Sequence, residues 1–140
     1  MRQLRMLLLL APAAAGLFCL FQSCNTSGKC RDLSGHWTTQ EGQDIIFLHD
    51  GKAMWLTRFG SRFDTNRMEY HLECNANLIT LDLSNFQTGP YTGKTLFGIL
   101  EWSSDTSFRL RYEPGLSPEV RPTEFDNDQA VKFVRTEEGK

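Results

Sequence analysis

Arg67-Met68-Glu69-Tyr70-His71-Leu72-Glu73-Cys74 (RMEYHLEC, residues 67–74) alternates without a break. Met68, Tyr70, Leu72 and Cys74 favour a dry environment; Arg67, Glu69, His71 and Glu73 favour water. Successive side chains of a β-strand point to opposite faces, so this period of two predicts a half-buried strand. An amphipathic helix needs a period of 3.6, and from Trp37 onward no run longer than a turn or two carries it.

The same alternation recurs on both sides. Ile79, Leu81 and Leu83 alternate with Thr80 and Asp82, and Phe108, Leu110 and Tyr112 alternate with Arg109, Arg111 and Glu113. Turn signals separate the runs. His49-Asp50-Gly51-Lys52 is the strongest, because Gly accepts the positive φ that a tight hairpin demands. Asn75-Ala76-Asn77 and Ser103-Ser104-Asp105 act in the same way. The pattern predicts eight strands at about 34–39, 43–48, 52–59, 66–74, 78–83, 94–102, 107–113 and 129–135. Eight consecutive strands joined as hairpins predict an all-β fold, an eight-stranded antiparallel up-and-down barrel. Closure removes the sheet edges that an open meander exposes. A β-sandwich is the alternative.

Link lengths then orient the barrel. The links after strands two, four and six are short. Those after strands three (Gly60 to Thr65), five (Ser84 to Gly93) and seven (Pro114 to Asp128) are long. Alternate links of a meander lie at opposite ends, so one end is closed by tight turns and the other is rimmed by loops. Cys30 precedes the first strand and Cys74 ends the fourth, which places both at the closed end.

The first residues are Met1-Arg2-Gln3-Leu4-Arg5, followed by an apolar run from Met6 to Phe21. A positive start, an apolar middle and a small polar end mark a secretory signal. A membrane span needs roughly 20 apolar residues, so a permanent anchor helix is the weaker alternative. Residues 1–23 are therefore read as a signal, 24–32 as a tether and 33–140 as one barrel domain. Loss of Arg2 and Arg5 reduces the 15 basic side chains to 13 against 17 acidic ones, a net charge of −4. With no basic block, nucleic acid is not expected as a partner.

Leu20-Phe21-Gln22-Ser23-Cys24 resembles the cleavage signal of bacterial lipoproteins, in which a small residue precedes a cysteine that becomes acylated. Phe21 and Gln22 depart from that family's usual Leu-Ala. The resemblance implies lipid on Cys24, and Asn25 after it, in place of a retaining aspartate, implies the outer membrane. Ordinary cleavage near Ser23, with a secreted or periplasmic product and Cys24 as a free or paired thiol, is the alternative. Cys19 leaves with the signal. Acylation of Cys24 then leaves Cys30 and Cys74 to pair in an oxidising compartment. Zinc is the rival for these thiols, but neither has a second Cys or His at close ligand spacing.

Leu33-Ser34-Gly35-His36-Trp37 resembles the Gly-x-Trp start of lipocalins and other calycins. That resemblance implies that Trp37 plugs the barrel floor and that Arg135, on the last strand, packs across it. Gly93-Lys94-Thr95-Leu96-Phe97-Gly98-Ile99-Leu100, Asp105-Thr106-Ser107-Phe108-Arg109-Leu110 and Arg121-Pro122-Thr123-Glu124-Phe125 are similar to a small calycin-like bacterial domain common in planctomycetes. That resemblance spans roughly Leu33 to Arg135, is poorer across residues 38–75, and supports a fold more than a function.

The sequence carries no catalytic or metal-binding signature. His36, His49 and His71 have no helical i, i+4 partner, there is no Gly-x-Ser-x-Gly elbow or phosphate loop, and the carboxylates are scattered. Glu69, His71 and Glu73 share one strand face, which reads as solvated. No enzyme activity and no cofactor are expected. Aromatic residues carry more information: Phe59, Phe63, Phe86, Tyr91 and Phe125 fall in or beside the long links, and Arg121 joins them. They either cap the core or form a rim for a ligand or partner, and Arg121, with Glu113 or Glu124 as its partner, clamps the last link.

Three functions follow as expectations. The first is a monomeric, lipid-anchored envelope module holding a small apolar or amphipathic molecule in the barrel mouth. The second is a protein-binding module such as an inhibitor of a secreted hydrolase. Bacterial protease inhibitors that share the barrel, a disulfide and a Leu-x-Gly-x-Trp start carry their inhibiting segment before the barrel, which corresponds here to Asn25 to Arg31. The third is a structural envelope lipoprotein. A hollow barrel lined by Met68, Tyr70, Leu72, Phe108 and Leu110 favours the first; a barrel filled by them favours surface binding.

Overall fold

The computed structural model describes residues 30–75 and 77–136. The expected signal, Cys24 and most of the tether lie outside the described residues. Eight strands follow one another: β1 Gly35–Thr38, β2 Gln43–Phe47, β3 Lys52–Phe59, β4 Arg62–Cys74, β5 Ile79–Ser84, β6 Thr95–Ser104, β7 Ser107–Gly115 and β8 Val131–Arg135. Each pairs antiparallel with the next, and β8 returns to β1, with Trp37 opposite Arg135 and Thr38 opposite Val134. The result is the lipocalin-like, up-and-down barrel that the alternation predicts, and its closure rules out a sandwich. The one helical piece among the described residues is a 3₁₀ turn, Pro118–Val120.

One link differs from expectation. Residues 62–65 belong to β4, which pairs with β3 down to Phe59 opposite Arg62 and leaves a two-residue turn at Gly60 and Ser61. Arg62, Asp64 and Asn66 alternate inward yet are polar, so the sequence there carries no apolar beat. Arg62 and Asp64 are exposed and Asn66 is half-buried, so no core packs against the strand at that level. β5 pairs with β4 only from Glu69 onward, so the β3–β4 hairpin continues past the barrel as a two-stranded ribbon.

The interior is filled. Trp37, Ile45, Phe47, Leu81, Leu96, Phe108, Leu110 and Phe133 are all shut away from solvent. Trp37 meets Phe108 edge-on at 4.8 Å between ring centroids, and Phe108 stacks on Phe133 at 5.1 Å. Met68 is buried, and Tyr70 and Leu72 pack against this core. The five residues whose packing separates a hollow barrel from a solid one therefore belong to a solid one below the mouth.

A second apolar layer lies outside. Phe97 and Ile99 alternate away from the interior of β6, yet both are buried. The β7–β8 link folds over them, with Pro122 also buried. Arg121 holds it there: its Nη1 and Nη2 donate to the two carboxylate oxygens of Asp82 on β5 at 2.5 and 2.9 Å, and Nη1 also donates to Gly98 O at 2.8 Å. The guanidinium sits 5.5 Å from the Phe97 ring centroid. This link thus runs along the outer wall and does not rim the mouth. The apolar outer faces of β6 need cover, and the link supplies it.

Cys30 and Cys74 form a disulfide with their Cα atoms 5.4 Å apart. Cys74 ends β4 and Cys30 precedes β1, so the bond ties the entering chain to the end of the barrel closed by the β2–β3, β4–β5 and β6–β7 turns.

Candidate functional site

At the opposite end a cavity of about 230 Å³ opens into the barrel mouth. Its dry walls are Trp55 on β3, Tyr112 on β7, and Phe86 and Tyr91 on the β5–β6 link. Trp55 and Tyr112 point inward by strand alternation, one step above the filled core. Their rings stand at 86° with centroids 6.0 Å apart, and Phe86 and Tyr91 pair at 54° and 5.5 Å. The polar edge comes from Gln43, Asp64 and Asn66. The Thr88 hydroxyl donates to Asn66 Oδ1 at 2.5 Å, which holds the β5–β6 link across the mouth. Burial pushes the Tyr112 phenol up to about 12, with the neighbouring Tyr91 adding to the effect. Tyr112 is therefore a neutral hydrogen-bonding group at any physiological pH.

At the floor, the Arg135 guanidinium lies 4.3 Å from the Trp37 ring centroid and donates from Nη1 to Ser34 O at 2.8 Å. The buried Trp37 indole donates to Leu33 O at 2.8 Å. Gly35 sits beneath this contact at φ 127°, where a Cβ would stand 2.7 Å from Arg135 Nη1. Only glycine combines that backbone conformation with that close approach. Arg31 covers the next aromatic along: its guanidinium is 5.3 Å from the Trp102 ring centroid and 3.2 Å from the Asp105 carboxylate.

The floor also gathers Asp32, Ser34 and His49. Ser34 Oγ lies 2.9 Å from His49 Nδ1, and the Asp32 carboxylate lies 3.8 Å from that same nitrogen. A catalytic triad needs the hydroxyl and the carboxylate on different ring nitrogens, so that the base is oriented by one while it accepts a proton at the other. This cluster fails that test. The Ser34 hydroxyl and backbone N–H hold the Asp32 carboxyl below its usual range, so it acts as a capped surface carboxylate. Among the described residues no three His, Cys, Asp or Glu side chains come close enough to hold a metal.

The rim residues named from sequence scatter. Phe86, which is buried, and Tyr91, which is half-buried, join at the mouth. Phe59 ends β3 beside the hairpin turn, opposite Arg62. Phe63 lies on the outer face of the hairpin, 57 % exposed, with Arg58 5.8 Å from its ring centroid. Arg121 grips the outer wall, with Asp82 as its partner and neither Glu113 nor Glu124. Phe125 is on that wall too, with the Arg109 guanidinium 5.1 Å from its ring centroid. Sequence reading missed Trp55, Tyr112 and Asp64 as mouth residues. Tyr112 ends a run of inward residues next to a long link, which was the available signal; Asp64 was hidden inside a presumed loop.

Comparisons with protein-family models, with curated proteins and with solved structures return no match for this chain.

Proposed function

We propose that this chain is a non-enzymatic, calycin-type binding module of the bacterial cell envelope, anchored through an acylated Cys24, that holds a small amphipathic ligand at the open end of its barrel. The aromatic cavity at the mouth carries this reading. It is concave, half apolar, and edged by a few polar groups, as ligand sites are. At about 230 Å³ it lies below the usual range of about 300–1,000 Å³ for drug-sized pockets, and the filled barrel, which favours surface binding over an interior site, leaves only this shallow mouth for a ligand. The ligand is therefore a small molecule or one group of a larger one.

The disulfide supports the anchored orientation. Cys30 is fixed at the closed end, and Cys24 lies six positions before it, a reach of about 20 Å when extended. Lipid on Cys24 leaves the mouth facing away from the bilayer. Native mass spectrometry of the purified protein tests the binding reading: a co-purified small molecule, lost when Tyr91 is replaced by Ala, is the expected result. Radiolabelled palmitate incorporation, abolished by Cys24→Ser, tests the anchor.

A second reading, docking of a protein partner, has one feature in its favour. Exposed Phe63 and its neighbour Thr65 lie on the stretch of β4 that β5 does not reach, where Gln87 N donates to Arg67 O and no strand follows. An open edge of that kind accepts an added strand. Mass spectrometry of material captured on the immobilised protein separates the two readings, because strand addition survives Tyr91→Ala and fails with Thr65→Pro.

A further inference from the structure

We propose that the mouth cavity is a receptor for a small organic cation, an alkylammonium or quaternary ammonium group, held by the faces of Trp55, Tyr91 and Tyr112 against the carboxylate of Asp64. This inference rests on the mouth being the binding site and names the chemistry it selects.

The charge of the lining points this way. Asp64 is the one charged residue among the described residues that line the cavity; no lysine or arginine contributes. Asp64 forms no ion pair with any described residue. It reaches the mouth on β4, opposite Thr57, on the inward-facing beat of the hairpin ribbon. An anion entering here meets uncompensated repulsion. A wholly apolar group leaves the Asp64 carboxylate without a partner in the cavity. A cation satisfies the carboxylate and the rings together.

Ring geometry adds an independent reason. The face of an aromatic ring carries negative charge density, which attracts an ammonium group within about 6 Å of the centroid. Trp55 and Tyr112 meet edge to face at 86°, so the edge of one covers a face of the other and each pair offers the cavity only the face it leaves uncovered. Tyr91 and Phe86 supply a further tilted pair on the link that crosses the mouth. A trimethylammonium head, which is nearly spherical and has no N–H to satisfy, fits such walls better than a planar ligand does. The phenol of Tyr112 remains uncharged up to strongly alkaline pH, so the attraction comes from its ring and not from a phenolate.

The test uses choline and its neutral isostere, 3,3-dimethylbutan-1-ol, on the purified full chain. Binding is followed by the Trp55 indole N–H resonance and by calorimetry. Choline is expected to bind about tenfold tighter than the alcohol. Asp64→Asn, a swap at an exposed position, is expected to lower choline affinity about tenfold and to leave the alcohol unchanged. Tyr91→Leu is expected to weaken choline more than the alcohol. Equal or tighter binding of the alcohol, or indifference of choline to Asp64→Asn, overturns the cation assignment while leaving a mouth ligand in place. If neither probe moves the Trp55 resonance at about 100 mM, well above millimolar affinity, the cation assignment falls, while the mouth reading falls only if native mass spectrometry also finds no molecule lost with Tyr91→Ala.

Discussion

Gly98 occupies an inward position on β6, between Leu81 on β5 and Tyr112 on β7. A Cβ built there stands 2.6 Å from Leu81 O and 2.9 Å from Leu110 Cδ1. The first of these is backbone of the paired strand and cannot move without opening the β5–β6 ladder. Gly98→Ala is therefore expected to cost about 1–3 kcal/mol, read as a lower urea midpoint with an unchanged slope. Tyr112 gives a pH signature at the same scale. Burial raises its phenol from 10.0 to about 12 in the folded chain. Between those values the unfolded chain has lost a proton that the folded chain keeps. The contribution is thus fully present below pH 10 and is lost as the pH rises through about 12, by about 3 kcal/mol in all. Burial raises the Tyr70 phenol in the same direction. Urea unfolding at pH 9 and pH 11 is expected to show about half of this loss, and Tyr112→Phe to reduce it.

The β7–β8 link behaves as an element of structure although it contains only one 3₁₀ turn. It covers Phe97 and Ile99, and it is fixed by a bidentate ion pair, Arg121 to Asp82, across 39 residues of sequence. Both side chains are largely withdrawn from water, at 18 % and 23 % exposure. Arg111 Nη1 donates to Glu124 O at 2.9 Å and Arg109 Nη1 to Asn127 Oδ1 at 2.8 Å, which pin the rest of the link. Arg121→Met strands the Asp82 carboxylate and the Gly98 carbonyl together. A loss of about 2 kcal/mol is expected, accompanied by faster proteolytic cleavage within residues 115–130. The barrel itself remains closed, because none of its ladder bonds runs through Arg121. Limited proteolysis with mapped cut sites checks both halves of that outcome.

At the scale of the whole molecule, the disulfide and the barrel closure define two poles. The Cys30–Cys74 bond spans a separation of 44 residues, and closing such a loop in the unfolded chain stabilises the fold by about 4 kcal/mol in the chain-entropy model. The double variant Cys30→Ser, Cys74→Ser is expected to lose about that much in urea denaturation, and the parent protein to match it once reduced. Because the bond lies at the floor and the aromatic cavity at the mouth, the variant is expected to retain choline binding wherever it remains folded. A solid core between the poles means that whatever binds at the mouth cannot reach the floor.

Strand order was legible because period-two alternation is a local property of the chain. Met68 to Cys74, Ile79 to Leu83 and Phe108 to Tyr112 each declare a dry face without knowledge of any partner. The continuous run Leu96 to Leu100, apolar on both faces apart from Gly98, announces a strand buried on two sides, but says nothing of what covers the outer one. The start of β4 was illegible, because Arg62, Asp64 and Asn66 face a wet mouth where inward residues are polar. The candidate site was largely hidden for a related reason. Trp55, Asp64, Tyr91 and Tyr112 come from four separate segments, and only the register of a closed barrel brings them to one cavity. The sequence by itself determined eight strands, their antiparallel order and a thiol pair at one end, since backbone pleat and hairpin parity require no distant information. Tertiary structure alone decided that the core is solid, that Arg121 faces the outer wall, and where the aromatic mouth lies, because those depend on strand stagger and on contacts between residues tens of positions apart.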